Sequence, residues 1–112
     1  MSFEVNQSKT YSQSLDAVHK AALGAISGLE GKILKQSENR IEAKFDKKIL
    51  GKVLGDRTQI EIDLSAANDE SQVDVTVYPL DPVGRKLMFG ARKGVSQTVI
   101  SWFWAHLEHR LK

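Results

Sequence analysis

The sequence contains no cysteine and only two prolines among its 112 residues. Without cysteine the chain can form no disulfide, use no thiolate nucleophile and hold no cysteine-ligated metal. No stretch approaches the roughly 18 consecutive apolar residues that a membrane-spanning helix needs. The amino-terminal residues also lack the charged start and apolar stretch of a signal peptide, so we expect a cytoplasmic protein.

The sequence also has little excess of positive over negative charge, because sixteen basic and fourteen acidic residues leave a formal net charge of +2. An excess this small does not by itself indicate nucleic-acid binding. A hydrophobic content of 41% and a charged content of 27% are typical of a globular protein. We therefore treat residues 1–112 as a single domain, which is long enough to bury a core of its own.

The segment after Tyr11 predicts a first helix. Ser12 or Ser14 can cap its start, Asp16 lies where the positive end of the helix dipole favours an acid, and Gly31 marks its end. Its apolar residues recur at helical spacing and form one stripe, made of Leu15, Val18, Ala22, Ile26 and Leu29.

Alternating polar and apolar residues predict the strands. Phe3 and Val5 indicate a short opening strand, and residues 32–37 a short, ambiguous one. Clear alternation then follows in RIEAKF, TQIEIDLS and SQVDVTVY, and the polar AANDE predicts a hairpin loop between the last two. The order predicts an α+β two-layer sandwich, with an antiparallel sheet of about five strands and both helices on its apolar face.

The final segment carries apolar residues every four positions from Val83 to Leu111, after a helix-start signal at Asp81 and Pro82. This spacing drifts around a helix by about 40° at each step, so one straight helix cannot bury the whole series against one sheet. Gly90 and Gly94 lie where the stripe changes sides. We predict a short helical segment over 82–89, a break near 90–94 and a long final helix over 95–111.

The segment DPVGRKLMFGARKG, residues 81–94, has four basic residues and three glycines. Its glycine spacing does not match a phosphate-binding P-loop. One interpretation is a solvated basic face. The other is an anion or ligand site formed by Arg85, Lys86, Arg92 and Lys93, with the last two just ahead of the free N–H groups of the final helix.

A second candidate is DKKILGKVLGDR, residues 46–57, where Ile49, Leu50, Val53 and Leu54 are interspersed with lysines. Apolar and cationic residues together indicate a membrane-surface or partner contact, unless the strands extend through the segment and these side chains cover the edge of the core.

Trp102 is a further candidate for an interaction surface, because it points about 200° away from Trp104 on the final helix. Trp104 shares the apolar stripe of that helix, which leaves Trp102 on another face, either at an interface or on a partly buried flank. Met88 and Phe89 complete the set of predicted surface apolar residues.

Other site classes receive less support. The polar sheet face has a single aromatic residue, Tyr78, and several acids, which disfavours RNA binding. These acids, Glu42, Glu61, Asp63 and Asp74, alternate on a solvated face, which also disfavours acid/base chemistry. His106 and His109 are spaced to approach one metal but lack a further ligand. We therefore expect no enzyme, no metal and no cofactor.

The stretch TYSQSLDAVHKAALGAISGLEGKILKQSENRIEAKF, followed by TQIEIDLS, SQVDVTVYPL and a terminal helix, resembles small bacterial domains of unknown function. Many of those domains resemble exported lipoproteins, a location that does not carry over to a chain without cysteine. More distantly, the order of elements is similar to the minimal helix-grip fold of START-like lipid-binding proteins. That resemblance implies a long C-terminal helix closed over a curved sheet, with a ligand between them.

Two functions follow from these observations. The first is a non-enzymatic protein-interaction or self-association module that uses Trp102, Met88, Phe89 and the apolar residues within 49–54. The alternative is helix-grip-like binding of a small apolar or anionic ligand between the C-terminal helix and the sheet. We expect no nucleic-acid partner, and peripheral membrane contact is the less favoured interpretation of the 46–57 segment.

Overall fold

The computed structural model describes residues 4–87 and 94–111. In chain order the elements are β1 (Val5–Tyr11), α1 (Leu15–Gly28), β2 (Lys32–Gln36), β3 (Arg40–Phe45), β4 (Lys48–Ile49), β5 (Lys52–Val53), β6 (Arg57–Ala67), β7 (Glu70–Leu80) and α2 (Val95–Leu111). Neither helix in the described ranges is long and apolar enough to cross a membrane.

Five strands form one antiparallel sheet in the order β1-β7-β6-β3-β2, and β4 pairs with β5 as a separate two-stranded hairpin. The long strands β6 and β7 are joined by Asn68 and Asp69, whose φ angles of 50° and 65° are those of a two-residue hairpin turn. The predicted α+β architecture, its strand number and the AANDE hairpin are confirmed.

The start of α1 follows the sequence signals. The side chain of Ser14 caps the helix and accepts a hydrogen bond from the Ala17 N–H at 3.2 Å, and Asp16 lies in the first turn. The end differs from the prediction in detail, because Glu30, with φ at 64°, takes the left-handed conformation that we expected of Gly31. Gly31 is needed for space instead, since a Cβ there would lie 2.5 Å from the ring of Phe45.

The core lies between the inner face of the sheet and the two helices. Each of β3, β6 and β7 turns alternate apolar side chains inward, and these join the buried faces of α1 and α2 in one cluster. The members with no exposed surface include Ile41, Ala43, Ile60, Ile62, Val73, Val75, Val77, Val18, Ile26 and Phe103. Both helices therefore cover one face of the sheet, as the two-layer prediction requires.

Hydrogen bonds to β1 fix the direction of α2. Trp104 Nε1 donates to Gln7 Oε1 at 2.7 Å, and further along both elements the Tyr11 hydroxyl donates to Glu108 at 2.8 Å. The helix therefore runs parallel to β1 and antiparallel to β7. The helix therefore starts toward the carboxyl-terminal end of β7.

Several elements start or finish at that end of the sheet. Phe45, the last residue of β3, pairs with Thr58, and Arg57, the first residue of β6, pairs with Leu80. The β4–β5 hairpin connects β3 to β6 there, and residues 81–87 leave β7 there. We call this region the Leu80 end of the sheet.

The predicted helical segment over 82–89 is wrong for its described part, residues 82–87, which form a turn. The Asp81 carboxylate accepts hydrogen bonds from the N–H groups of Val83 and Arg85, both at 2.9 Å, and Gly84 has φ at 93°. These features stabilise a tight turn instead of a helix. The turn brings Lys86 back beside Leu80, with which it forms an antiparallel β-bridge. The final helix begins at Val95 as predicted. Of the predicted break near 90–94, only Gly94 lies within the described residues, and its φ of 81° is not helical.

Replacing Asp81 by alanine is expected to loosen the 81–87 turn, while asparagine, which keeps an acceptor, retains most of it. The N–H of Arg85, and then that of Val83, lower the pKa of Asp81 below its ordinary value. The contribution of the carboxylate is therefore complete above the ordinary carboxyl pKa and is lost as the pH falls through the lowered one. We expect amide exchange at Val83 and Arg85 to accelerate about three- to tenfold in Asp81→Ala. Unchanged exchange would contradict this account of the turn.

Candidate functional site

A groove of about 260 Å³ opens at the Leu80 end of the sheet. The segment leading into and out of the β4–β5 hairpin forms one wall, and the 81–87 turn forms the other. Its lining combines apolar and charged side chains: Lys47, Gly55, Asp56, Arg57, Leu80, Asp81, Pro82 and Leu87. The groove therefore combines apolar surface with two basic and two acidic side chains.

Within residues 4–87 and 94–111, two buried hydroxyl groups have no hydrogen-bond partner. Thr58 is 0% exposed and Ser96 is 5% exposed, and neither Oγ1 of Thr58 nor Oγ of Ser96 forms a hydrogen bond with any of these residues. Thr58 occupies an inward position of β6, in line with Ile60 and Ile62, where an apolar side chain would leave no polar atom to satisfy. An unsatisfied buried polar group costs about 1–3 kcal/mol, so two of them in one small core call for an explanation.

The two hydroxyls lie at the same end of the core. Thr58 pairs with Pro79 at the end of β7. From Trp104, which lies near the level of Val75, back to Ser96, α2 spans about 12 Å, the length of about four strand residues. By this length Ser96 lies toward the same end of the core as Pro79 and Thr58.

The first turn of α2 adds a positive electrostatic environment. The earliest hydrogen bond within the described part of this helix runs from the Thr98 N–H to the Gly94 carbonyl at 2.9 Å. The N–H groups of residues 95–97 belong to this first turn, and the helix dipole is positive at this end. Backbone N–H groups and hydroxyls at one place suit a carboxylate, sulfonate or phosphate oxygen.

Beyond its first turn, α2 fills the layer between itself and the sheet. Val99, Ile100, Phe103 and Leu107 have no exposed surface and belong to the same cluster as the inward side chains of the sheet. The tight packing of this layer therefore lies beyond the first turn of the helix.

The structure separates the predicted anion-site residues. Arg85 is exposed and lies 3.8 Å from Asp81 in the same turn. Lys86 bonds to Glu4 at 2.5 Å and lies 4.9 Å from the ring centre of Tyr78, on the outer face of the sheet. Arg92 and Lys93 lie outside the described residues. Arg85 and Lys86 therefore do not join the buried hydroxyls, and whether either binds an anion stays a prediction.

The predicted interaction residues are also separated. Ile49 is buried in the core, which does not agree with its place on a binding surface, because β4 folds its side chain over the open edge of the core. Leu54 and Trp102 are half-buried and pack against the core, whereas Leu50 and Val53 are exposed. Met88 and Phe89 lie outside the described residues. An interaction or self-association surface stays a prediction, now resting on Leu50 and Val53.

The outer face of the sheet is polar, as predicted, and its charged groups pair with one another. Arg40 contacts Glu42 at 3.2 Å, Asp63 at 2.6 Å and Glu61 at 3.6 Å. The Tyr78 hydroxyl donates to Glu61 at 2.8 Å, and partial burial together with this bond raises the pKa of Tyr78. Within residues 4–87 and 94–111, no group of three or more acidic or histidine side chains is arranged to hold a metal.

A larger groove of about 600 Å³ lies at the opposite end, between the start of α1 and the end of α2. Most of its lining is exposed, and the residues are Gln13, Ala17, Lys20, Ala21, His109, Arg110 and Leu111. Neither of the two buried hydroxyls that lack a partner within residues 4–87 and 94–111 lies among them. We therefore take the Leu80 end, and not this depression, as the candidate site.

Nothing in the sequence indicates that Thr58 and Ser96 are site residues. Threonine is common in strands, and serine is common at the start of helices, so neither departs from its local pattern. What singles them out is the lack of a partner, which depends on the packing of β6 against α2.

A long C-terminal helix laid on a five-stranded antiparallel sheet defines this chain as a helix-grip domain, as the START-like resemblance implied. Solved structures with the same fold include Ara h 8.0201, with a TM-score of 0.60, 13% identity and coverage of 99% of each chain. Protein CV1439 from Chromobacterium violaceum matches with a TM-score of 0.63 and 10% identity, over 96% of this chain and 93% of that one.

CalU16 from Micromonospora echinospora matches with a TM-score of 0.63 and 12% identity, over 97% of this chain and 76% of that one. No protein-family model and no curated protein matches the chain. Likeness at these identities establishes the fold.

The expectation that the chain is not an enzyme is contradicted. The solved structures that share its fold include DynU16, from the dynemicin biosynthetic locus, with a TM-score of 0.60 and 13% identity, over 96% of this chain and 46% of that one, so the fold does not exclude an enzyme. The expectation depended on the lack of a catalytic motif. That lack excludes only the chemistries that need fixed residue spacings, and a reaction that depends on substrate positioning in a shaped site requires no such motif.

Proposed function

We propose that this domain binds a small ligand with an apolar body and a polar or anionic end, held between the first turn of α2 and the sheet at the Leu80 end. The observation that carries the proposal is the pair of buried, unsatisfied hydroxyls of Thr58 and Ser96. A ligand oxygen that accepts from both would remove the cost of leaving them unsatisfied.

The surroundings support the same chemistry. Ile60 and Val77, paired across β6 and β7, present apolar surface beside Thr58, and Lys47 and Arg57 line the adjoining groove. The groove volume of about 260 Å³ is just below the range of about 300–1,000 Å³ that is typical of ligand pockets, which supports a small ligand. The START-like resemblance supports the same location, between the C-terminal helix and the sheet.

Replacing Thr58 by valine is expected to stabilise the ligand-free protein while weakening ligand binding. Valine has nearly the same shape and removes an unsatisfied hydroxyl, so the free energy of unfolding should rise by about 1 kcal/mol. Affinity for anilinonaphthalene sulfonate, an apolar anion with fluorescence that reports binding, should fall about tenfold. Ser96→Ala should act in the same direction. Urea denaturation and fluorescence titration measure the two effects.

The matched control is Thr10→Val, which makes the same change at an exposed position of β1 and should leave both quantities unchanged. A loss of stability in Thr58→Val would show that its hydroxyl makes a bond in the free protein, and an unchanged affinity would overturn the proposed site. Native mass spectrometry of the purified protein tests the proposal independently, because a retained ligand would add mass that Thr58→Val reduces.

A further inference from the structure

We infer that the tip of the β4–β5 hairpin and the 81–87 turn form a docking surface for an anionic lipid membrane. Docking would place the groove at the Leu80 end against the lipid, where a ligand could exchange between protein and membrane. This consequence rests on the proposed function. The docking itself is argued from exposed apolar groups, charge and backbone geometry, which do not depend on a ligand.

Exposed apolar side chains concentrate at this end of the molecule. Among the described residues, four large apolar side chains are exposed, and three of them are Leu50 at 53%, Val53 at 76% and Val83 at 75%. The fourth, Leu34 at 42%, lies on the edge strand β2. Leu50 and Val53 lie on the hairpin, which is one side of the groove, and Val83 lies on the 81–87 turn, which is the other. Both sides of the groove therefore have exposed apolar side chains.

Basic residues surround these apolar groups. Segments 46–57 and 81–87 together contain six basic and three acidic residues. Lys47, Lys48 and Lys52 are exposed, and no ion pair within residues 4–87 and 94–111 engages them. Apolar tips surrounded by free ammonium groups match the boundary between anionic headgroups and acyl chains.

The hairpin holds its tip outward in a fixed conformation. Leu50 and Gly51 have φ angles of 52° and 83°, which form a tight two-residue turn. The Leu50 N–H donates to Glu30 Oε1 at 2.6 Å, which ties the turn to the end of α1, and the neighbouring Ile49 is anchored in the core. The exposure of Leu50 is therefore a property of a well-supported turn.

The composition of the surface favours a membrane over a protein partner. Stable protein interfaces are enriched in tryptophan, tyrosine and arginine and depleted in lysine. Here the exposed apolar groups are aliphatic side chains, and four of the six basic residues in the two segments are lysines. Each lysine near an anionic surface strengthens binding about fivefold, and the aliphatic tips add a contribution from burial.

The test is sedimentation of the full chain with phosphatidylcholine vesicles, with and without about one third phosphatidylglycerol. We expect the protein to bind the anionic vesicles and not the neutral ones, and binding to weaken as salt is raised. The double variant Leu50→Asn, Lys52→Glu should lower binding by about tenfold or more. Asparagine is chosen because it tolerates the left-handed conformation at position 50.

The control is Leu34→Asn with Lys35→Glu, which removes one exposed leucine and reverses one lysine on β2, away from the Leu80 end. Binding within twofold of the parent protein is expected. Equal losses in both double variants, or no binding by the parent protein, would overturn the inference. So would a change from dimer to monomer in the hairpin variant, seen by analytical ultracentrifugation, because it would assign the surface to a second copy of the chain.

Failure of docking and failure of the ligand site are distinguishable. Titration with anilinonaphthalene sulfonate, without vesicles, should be normal in the hairpin double variant and impaired in Thr58→Val. Vesicle binding should show the reverse pattern. If the hairpin variant loses vesicle binding while Thr58→Val leaves the dye affinity unchanged, the docking surface is supported and the proposed ligand site is rejected.

Discussion

Replacing Phe103 by alanine is expected to lower the free energy of unfolding by about 3–5 kcal/mol. Phe103 has no exposed surface, and its ring meets that of Trp104 edge to face at 5.6 Å between centres. The neighbouring side chains Val99, Ile100 and Leu107 are equally buried, so the layer between α2 and the sheet cannot collapse into the vacated volume without moving the helix. For a domain with a total stability of about 5–15 kcal/mol, this loss is a large fraction.

Equilibrium denaturation in urea measures the effect of Phe103→Ala, and Ser101→Ala, an exposed change on the same helix, is the control. The control should shift the free energy of unfolding by less than about 0.5 kcal/mol. A loss below about 1 kcal/mol in Phe103→Ala would contradict the tight packing described for this part of the layer.

The second large effect is expected at Gly31, where alanine should destabilise the protein by about 1–3 kcal/mol. Its Cβ would lie 2.5 Å from Cε1 of Phe45 and 2.7 Å from Cγ2 of Ile26. Both neighbours are fully buried, so neither side chain can move aside into solvent. The turn between α1 and β2 would have to shift, and with it the edge of the sheet.

Gly24→Ala provides a control of opposite sign. A Cβ at Gly24 would meet only the side chain of Arg110, at 3.0 Å, and Arg110 is exposed and flexible. Gly24 lies inside α1, where alanine favours the helix by up to about 1 kcal/mol. We expect Gly24→Ala to raise the denaturation midpoint and Gly31→Ala to lower it; a neutral Gly31→Ala would show that the turn has room for a methyl group.

The parts of the fold that sequence predicts are those in which local pattern and packing agree. The alternation in β6 and β7 places the same residues inward that the structure buries, and the helical spacing from Leu15 to Leu29 gives the buried face of α1. The failure at 82–87 arises where two local signals compete. An acid followed by proline is a helix start, but the same acid bonds to N–H groups two and four residues on and, with Gly84, forms a turn.

The candidate site could not be predicted from the sequence, because it is defined by two common residues that lack hydrogen-bond partners within the described structure. Thr58 fits the pattern of a strand, and Ser96 fits that of a helix start. Only the assembled core shows that both are buried without partners at one end. Arg85 and Lys86 were predicted to form part of an anion site because four basic residues lie close together in the sequence. In the structure Arg85 interacts with Asp81, and Lys86 interacts with Glu4 and Tyr78 on the surface.

The pairing of β1 with β7 has a consequence for how the chain folds during synthesis. Val5 pairs with Val77, so β1 has no partner in the sheet until β7, about seventy residues later in the chain, has been synthesised. The hairpins β2–β3 and β6–β7 can form earlier from local contacts, and closing the long loop back to β1 comes late. An unpaired strand rich in apolar residues would be prone to aggregate. The sequence of β1, VNQSKTY, is mostly polar, so this strand can remain unpaired in solvent until β7 has been synthesised.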